Sequence, residues 1–326
     1  MDMPIRIVGF DELPRRYEAP TASLVISDND PPIDPGLLRK NRALGQPCAE
    51  YLGLAAIDGP EVLAQLTVER HRVTTETGTE VFAGVSGVVT RPDVLGRGLS
   101  GRLFEEMHRR EAARGMRLAL LWTRRTWAAH RLYEKLGYRD VYIPPTALLD
   151  LRRSSRRPLG RGYSVRSARR EDAPLLETLL RAATRHRLGL VPRYPGSFRV
   201  RFAMKWRSPS DHHLLLYRSR PVGYFFAPGG PFHVMAYEAV VPSDEHRPAL
   251  LDAMEREASG RWLAFGYTSF VREAAPELRE RGGAIFPESH VTLMAKNLSR
   301  TEDDPRAALE RAVADPRFSC QRGDVF

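Results

Sequence analysis

The chain has 326 residues, of which 42% are hydrophobic and 28% charged, and its formal net charge is +10. This length suits two domains of about 150 residues each, and the composition is typical of a globular protein. No stretch approaches 18 uninterrupted apolar residues and no basic segment with an apolar run opens the chain, so we expect a cytoplasmic protein with no membrane partner.

The basic charge comes almost entirely from arginine, since only four of the 50 basic residues are lysines. Such an excess can indicate nucleic-acid binding, but here the arginines are spread along the whole chain, which favours solvated surfaces instead. One dense arginine run, within residues 152–161, lies among Ser, Pro and Gly and is typical of a linker. Cys48 and Cys320 have no partner at metal-site spacing, so we expect no metal.

The first half begins with a predicted strand and two helices, followed by three strands. The strand is predicted over 5–8, the helices over 11–17 and 36–44, and the three strands over 51–57, 62–73 and 80–89. Turn signals at Asp58-Gly59-Pro60 and Glu76-Thr77-Gly78 predict an antiparallel meander for these three strands. Next come a helix from Leu99 to near Gly115, a strand over 118–122, a helix over 126–136 and a strand over 138–143, which Pro144-Pro145 ends.

Three glycines, Gly96, Gly98 and Gly101, open the helix that follows the strand over 80–89. The start of a helix leaves backbone N–H groups unpaired and carries partial positive charge, and glycine allows a ligand to approach closely. The segment lacks the Gly-Lys-Ser/Thr ending of nucleoside triphosphate loops and the acidic residue of dinucleotide sites. The pattern therefore predicts a cradle for a diphosphate other than that of ATP or NAD.

The second half repeats this order of elements weakly, which indicates a duplication. Where the first half has its glycines, the second has Val241-Pro-Ser-Asp-Glu-His-Arg-Pro-Ala249, with two acidic residues that would repel a phosphate. We expect this copy to stabilise, pair with or shape the substrate side of the first. The predicted organisation is a catalytic domain over 1–150, a linker over 151–161, a degenerate domain over 162–300 and a C-terminal helix and tail over 301–326.

Two segments in this order resemble the GNAT superfamily of acyl-CoA-dependent N-acyltransferases. The family's cofactor loop reads Arg/Gln-x-x-Gly-x-Gly/Ala, and this chain has Leu95-Gly-Arg-Gly98-Leu-Ser100, which departs from it at Leu95. The segment Ala129-His-Arg-Leu-Tyr133-Glu-Lys-Leu-Gly137-Tyr138 matches the family's Ala-x-x-Leu-Tyr-Glu-Lys-Leu-Gly-Phe. The resemblance implies an α/β fold of the α+β type, with two tandem GNAT-like domains, each a mixed, mostly antiparallel sheet flanked by helices.

The resemblance also implies acetyl-CoA as the cofactor and gives its contacts. Pantetheine would lie between the strands that end near Val89 and Trp122, forced apart by a bulge, and a backbone N–H near Val88 or Val89 would face the thioester oxygen. Thr126 stands where the family often has an Asn that contacts coenzyme A. The diphosphate would lie against the loop formed by Leu95, Gly96, Arg97, Gly98, Leu99, Ser100 and Gly101.

For the chemistry, the resemblance places the hydroxyl of Tyr133 beside the departing sulfur, as a general acid. The identity of the general base stays open. Glu80 is the first candidate and Glu69 the second, although both also fit exposed carboxylates at strand ends. His71 and His130 are further candidates for a proton-transfer role.

The predicted function is N-acetyl transfer from acetyl-CoA to a primary amine of an unidentified small molecule or peptide, by direct attack. Asp28, Asp30 and Asp34 would suit a cationic amine, and a solvated loop explains them equally well. Two alternatives stay open: a non-catalytic CoA-binding or interaction protein with a vestigial acyl site, and a nucleic-acid-associated protein. The sequence is compatible with a homodimer.

Overall fold

The computed structural model of the protein describes residues 5–26, 35–152, 158–190, 194–203, 208–266, 268–299 and 304–320. The acidic residues Asp28, Asp30 and Asp34 lie outside these ranges, as does most of the arginine run. Among the described residues, no helix has both the length and the apolar character needed to cross a membrane.

The first half follows the predicted order of elements with two differences. The helix predicted over 11–17 was wrong, because the chain forms a 3-10 turn at Arg15–Tyr17 and the helix starts only at Glu18. Pro14 explains the delay, since a proline keeps the preceding residue out of the helical region. A strand that was not predicted follows Pro144-Pro145. The elements are β1 (Arg6–Gly9), α1 (Glu18–Ile26), α2 (Pro35–Ala43), β2 (Cys48–Asp58), β3 (Glu61–Thr75), β4 (Gly78–Thr90), α3 (Leu99–Ala113), β5 (Leu118–Arg124), α4 (Ala128–Lys135), β6 (Arg139–Tyr142) and β7 (Thr146–Asp150).

The second half repeats this order with more interruptions. The extended segment over 233–240 is interrupted at Tyr237, and its two strands join different sheets. The elements are β8 (Tyr163–Ser167), α5 (Ala173–Thr184), β9 (Leu188–Gly189), α6 (Ser197–Ala203), β10 (His212–Tyr217), β11 (Arg220–Phe226), β12 (His233–Ala236), β13 (Glu238–Val240), α7 (Arg247–Glu257), β14 (Trp262–Phe265), α8 (Phe270–Glu273), α9 (Ala275–Glu280), β15 (Ala284–Phe286), β16 (Val291–Asn297), α10 (Pro305–Ala314) and β17 (Phe318–Ser319).

The two halves exchange strands. The main sheet has the order β1-β2-β3-β4-β5-β16-β6, so a strand from the end of the second half lies between two strands of the first. Its Met294 pairs with Leu121 on β5 and with Asp140 on β6. In return, β7 joins the sheet β12-β14-β7-β15, while a third sheet has the order β13-β11-β10-β8. Two of the three sheets therefore contain strands from both halves.

The main sheet is covered differently on its two faces. On one face, α3 and α4 pack over β3, β4 and β5 through a core that contains Leu103, Phe104 and Tyr133. The opposite face is covered at one end by α1 and α2, which pack on β1 and β2. At its other end, α10 and β17 of the second half pack on β5, β16 and β6. On this face, the middle of β3 and β4 lies between the pair α1 and α2 and the pair α10 and β17.

Candidate active site

The parallel strands β4 and β5 separate partway along their length. They pair only from Ala83 with Ala119 to Val85 with Leu121, and β4 then continues to Thr90. Because β4 and β5 run in the same direction, the gap opens toward the C-terminal ends of both strands. Gaps of this kind admit an extended ligand that pairs with the free strand edge, as in the addition of a strand.

A β-bulge accompanies the separation. On β3, Thr67 pairs with Ser86 and Gln65 with Val89, so two steps along β3 correspond to three along β4. Gly87 takes up the extra residue with a φ of +57°. A bulge bends its strand and increases the local twist, which directs the end of β4 away from β5. The bulge expected from the resemblance is therefore present beside Val88.

The glycine loop leaves open space in front of α3. Gly98 is the N-cap of the helix in a left-handed conformation with a φ of +73°, and Gly96 has a φ of +80°. A Cβ at Gly96, Gly98 or Gly101 would meet nothing within 4 Å. The first N–H groups of a helix have no partner within it, and they carry its positive end. This arrangement suits an anion such as a diphosphate.

Tyr133 lies on α4, on the face of the sheet that α3 covers. It is 6% exposed and belongs to the same core as Val85 and Leu121, the last pair before β4 and β5 separate. Its ring centre lies 5.4 Å from that of Phe104 and 6.2 Å from that of Tyr138. These ring contacts fix the position of the Tyr133 side chain within this core.

A row of polar side chains runs along β3 on the opposite face. Side chains alternate between faces along a strand, so Gln65, Thr67, Glu69 and His71 share one face. Glu69 pairs with Gly84, which lies just before the bulge, and its Oε2 atom is 3.1 Å from Nε2 of His71. Glu69 and His71 were predicted from the sequence, but Gln65 and Thr67 were not. The signal that would have revealed them is their spacing of two residues in a mostly apolar strand.

The hydroxyl of Thr67 lies at the bulge itself. Its Oγ1 atom is 2.7 Å from Oγ of Ser86 and also donates to the carbonyl oxygen of Ser86 at 3.0 Å. These bonds hold the last regular pair of β3 and β4 together, directly before β4 bends away. The polar row therefore passes the bulge, with Glu69 and His71 on one side of it and Gln65 on the other.

Glu80 and His130, the other candidate groups, are both bonded to other side chains. Glu80 is bonded to Arg117 near the start of β4, seven residues before Gly87, which is about 20 Å along a strand. His130 is buried, with its Nε2 atom 2.9 Å from Oδ1 of Asp140. The structure thus brings Glu69 and Tyr133 to the region of the gap, but not Glu80.

Thr126 and its neighbours form the exposed connection between β5 and α4. Trp127 is the N-cap of α4 and is 50% exposed, and the guanidinium carbon of Arg124 lies 5.1 Å from its ring centre. Because β4 and β5 are parallel neighbours, the helices that follow them start at the same edge of the sheet. Thr126 therefore lies on the edge that also carries the glycine loop.

A polar contact between the halves lies behind Tyr133. Lys296, on β16, donates to the carbonyl oxygen of Leu136 at 2.6 Å and to Nδ1 of His108 at 3.2 Å. The Nε2 atom of His108 is 3.0 Å from the hydroxyl of Tyr138. Burial, aided by the positive charge of Lys296, lowers the pKa of His108 to about 3, so the imidazole is neutral. Sequence reasoning missed this group, since Lys296 lies 188 residues from His108.

The corresponding region of the second half has no glycine loop. An acidic turn, Asp244–His246, precedes α7, and Asp244 binds Arg247 at 2.9 Å. The carboxylate of Glu238, fully buried on β13, accepts a bond from Arg201 at 3.1 Å and another from Tyr224. These side chains fill the region beside β13 with their own ion pair.

Comparisons with known proteins show a similar fold. The FR47-like protein family matches residues 67–143, which include the bulge, the glycine loop and α4. No curated protein matches the sequence. Among solved structures, a GCN5-related N-acetyltransferase from Kribbella flavida is similar with a TM-score of 0.64 and 17% identity, over 90% of this chain and 70% of its own.

Two further structures are similar over nearly the whole chain. A GCN5-related N-acetyltransferase from Anabaena variabilis has a TM-score of 0.64 and 12% identity, over 91% of this chain and 73% of its own. A tandem GNAT protein from the clavulanic acid biosynthesis pathway has a TM-score of 0.51 and 14% identity, over 92% of this chain and 100% of its own. At such identities the likeness establishes the fold. The protein therefore has the tandem fold of the GCN5-related N-acetyltransferases, with an FR47-like segment in its first half, which confirms the resemblance to the GNAT superfamily.

Proposed function

We propose that the protein is an N-acetyltransferase that moves an acetyl group from acetyl-CoA to a primary amine. The observation that carries the proposal is the bulge at Gly87, which opens β4 from β5 directly beside the bare amides at the start of α3. The first feature suits an extended pantetheine chain and the second a diphosphate. When bound, acetyl-CoA would supply the acetyl group as a thioester, and coenzyme A would leave as the thiol.

The glycine loop is the part of the chain that would hold the diphosphate. Gly96, Gly98 and Gly101 leave the helix terminus open, and the amides there donate hydrogen bonds without a side chain in the way. On the strand, the N–H of Val88 or Val89 donates to the thioester oxygen, where it stabilises the negative charge that develops there. The hydroxyl of Ser100, 2.7 Å from that of Thr90, holds loop and strand together.

The acid and the base act from opposite faces of the sheet. Tyr133, on the α3 face, would donate its proton to the sulfur as the C–S bond breaks. Glu69, on the other face, would accept through water the proton that the amine loses as its nitrogen bonds to the acetyl carbon. Glu69 is better placed than Glu80, because Glu80 is engaged by Arg117 far along β4. The imidazole of His71, 3.1 Å from the carboxylate, orients Glu69.

The acceptor amine would enter from the face that carries Glu69. Helices α1 and α2 border this face on one side, and α10 of the second half borders it on the other. The side chain of Glu69 is partly exposed there, and its negative charge favours an ammonium group over a neutral or acidic acceptor.

Titration calorimetry of the full-length protein with acetyl-CoA, followed by a thiol-release assay, tests the proposal. The assay would cover small amines, amine-bearing antibiotics and peptides with free N-termini. We expect micromolar binding and release of the thiol with at least one class of amine. Absence of acetyl-CoA uptake would contradict the proposal, and tight uptake without thiol release from any amine would favour the non-catalytic CoA-binding alternative.

A further inference from the structure

Trp127 exposes half of its surface at the start of α4. Its relative exposure is 50%, and the neighbouring residues Arg124 and Thr126 are exposed as well. The guanidinium carbon of Arg124 lies 5.1 Å from the indole centre, a cation–π distance that holds the ring in place. An immobilised aromatic ring that is open to solvent is a surface on which a flat heterocycle can stack.

The position of this ring relative to the glycine loop follows from the sheet. Trp127 is the N-cap of α4 and Gly98 is the N-cap of α3. The two helices follow the parallel neighbours β4 and β5, so both N-caps lie at the same edge, on either side of the gap. A molecule with its diphosphate at Gly98 and its chain in the gap has its remaining end near this edge.

Resting on the proposed function, we propose that Trp127 stacks the adenine ring of coenzyme A and that Arg124 faces the ribose phosphate. The adenosine end is the only flat aromatic part of coenzyme A, and it carries the additional phosphate. Leu95, which is 64% exposed in the loop, brings no charge to this edge. An aromatic platform with an adjacent guanidinium supplies the affinity that a loop beginning with Leu95 lacks.

The chain contains a second stack of the same type that serves as a matched control. Arg152 lies 4.3 Å from the ring centre of Trp262, and its guanidinium also binds Asp150 at 2.7 Å. This pair belongs to the sheet of β7 and β14 rather than to the edge beside Gly98. Replacing Arg152 therefore removes an equivalent contact without affecting the proposed platform.

The test measures the affinity of the full-length protein for coenzyme A and for phosphopantetheine, which lacks the adenosine end. The variants are Trp127→Leu, Trp127→Phe, Arg124→Ala and, as the control, Arg152→Ala. We expect Trp127→Leu to weaken coenzyme A binding by about 10- to 100-fold and to leave phosphopantetheine binding unchanged. Trp127→Phe retains a smaller ring and should recover part of the affinity.

Dephospho-coenzyme A separates the role of Arg124 from that of Trp127. Arg124→Ala should lower affinity for coenzyme A but not for the dephospho form, whereas Arg152→Ala should change neither. If wild type and Trp127→Leu bound coenzyme A with equal affinity, the inference would be wrong while the proposed function would stand. The same holds if Trp127→Leu lost as much affinity for phosphopantetheine as for coenzyme A. If the wild type bound neither compound, the inference and the proposed function would fall together.

Discussion

The hydroxyl oxygens of Thr90 and Ser100 lie 2.7 Å apart, so the last residue of β4 is bonded to the first turn of α3. This bond spans the glycine loop, whose residues make few contacts of their own. It fixes the distance between the strand edge and the helix N-terminus, the two places proposed to hold one extended ligand.

Gly98 offers a direct test of the loop, because the other end of α3 provides a control. Gly98 and Gly115 have φ values of +73° and +79°, and a Cβ on either would meet nothing within 4 Å. Alanine at either position should lower stability by about 1–2 kcal/mol, the penalty of the left-handed conformation. Only Gly98→Ala should also weaken acetyl-CoA binding, by about tenfold, in calorimetry. Equal affinities of the two variants would place the diphosphate elsewhere.

Tyr133→Phe removes the proposed acid and keeps the ring contacts with Phe104 and Tyr138. We expect kcat to fall by about 100-fold or more, because the departing thiolate loses its proton donor. The Kd for acetyl-CoA and the melting temperature should stay close to those of the wild type. An unchanged kcat in the thiol-release assay would refute the assignment.

Glu69→Gln and Glu80→Gln decide between the two candidate bases. We expect Glu69→Gln to lower kcat/KM by about 100-fold near neutral pH, with recovery at higher pH where the amine loses its proton unaided. Glu80→Gln should cost at most about 1 kcal/mol of stability, through the loss of its pair with Arg117. The reverse pattern in the pH–rate profiles would restore Glu80 as the base.

His108 should make the protein sensitive to acid. Its pKa is about 3 in the folded protein, against 6.5 for the unperturbed group, so between these values the unfolded chain binds the extra proton. Stability from this group is therefore present above pH 6.5 and falls as the pH drops, by up to about 1.4 kcal/mol per unit. Urea unfolding at pH 7 and pH 5 should show a shallower loss for His108→Gln than for the wild type.

His186 supplies the control for that experiment, because its side chain is exposed whereas that of His108 is buried. His186→Gln should follow the wild type at both pH values. If His108→Gln lost as much stability as the wild type on acidification, the buried imidazole would not be the source of the acid sensitivity.

The exchange of strands predicts that the first half does not fold alone. Among the described residues, β6 pairs only with β16, and β5 has β16 along its full length from Leu118 to Arg124. A fragment of residues 1–152 should therefore lack a cooperative thermal transition in circular dichroism. Co-expression with residues 153–326 should restore it. A fragment that melted cooperatively on its own would show that β16 is dispensable.

Much of the first half could be predicted from the sequence because its signals are local. The alternation in β3, the turn at Asp58-Gly59-Pro60 and the glycines before α3 each depend on residues close together in the chain. The same is true of Tyr133 and its helix. The bulge at Gly87 was expected from family resemblance, since no local pattern in the strand specifies it.

Features that depend on residues far apart in the chain could not be predicted from such local signals. Nothing near Val291 indicates that β16 pairs with β5 rather than with a strand of its own half, because both alternatives bury the same apolar face. Strand register determines how far Glu69 and Glu80 lie from the gap, and no local pattern in the sequence reports that register. Lys296 and His108 meet only because the exchanged strand brings them together.

The exchange of β16 also delays completion of the main sheet during synthesis of the chain. By the time β6 has left the ribosome, about 150 residues are still to be made before β16 can insert beside it, which at typical elongation rates takes roughly 10–30 s. During that interval β6 and the side of β5 that pairs with β16 lack their hydrogen-bonding partner. Nascent chains of this protein should therefore depend on chaperones until almost the last residue has been added.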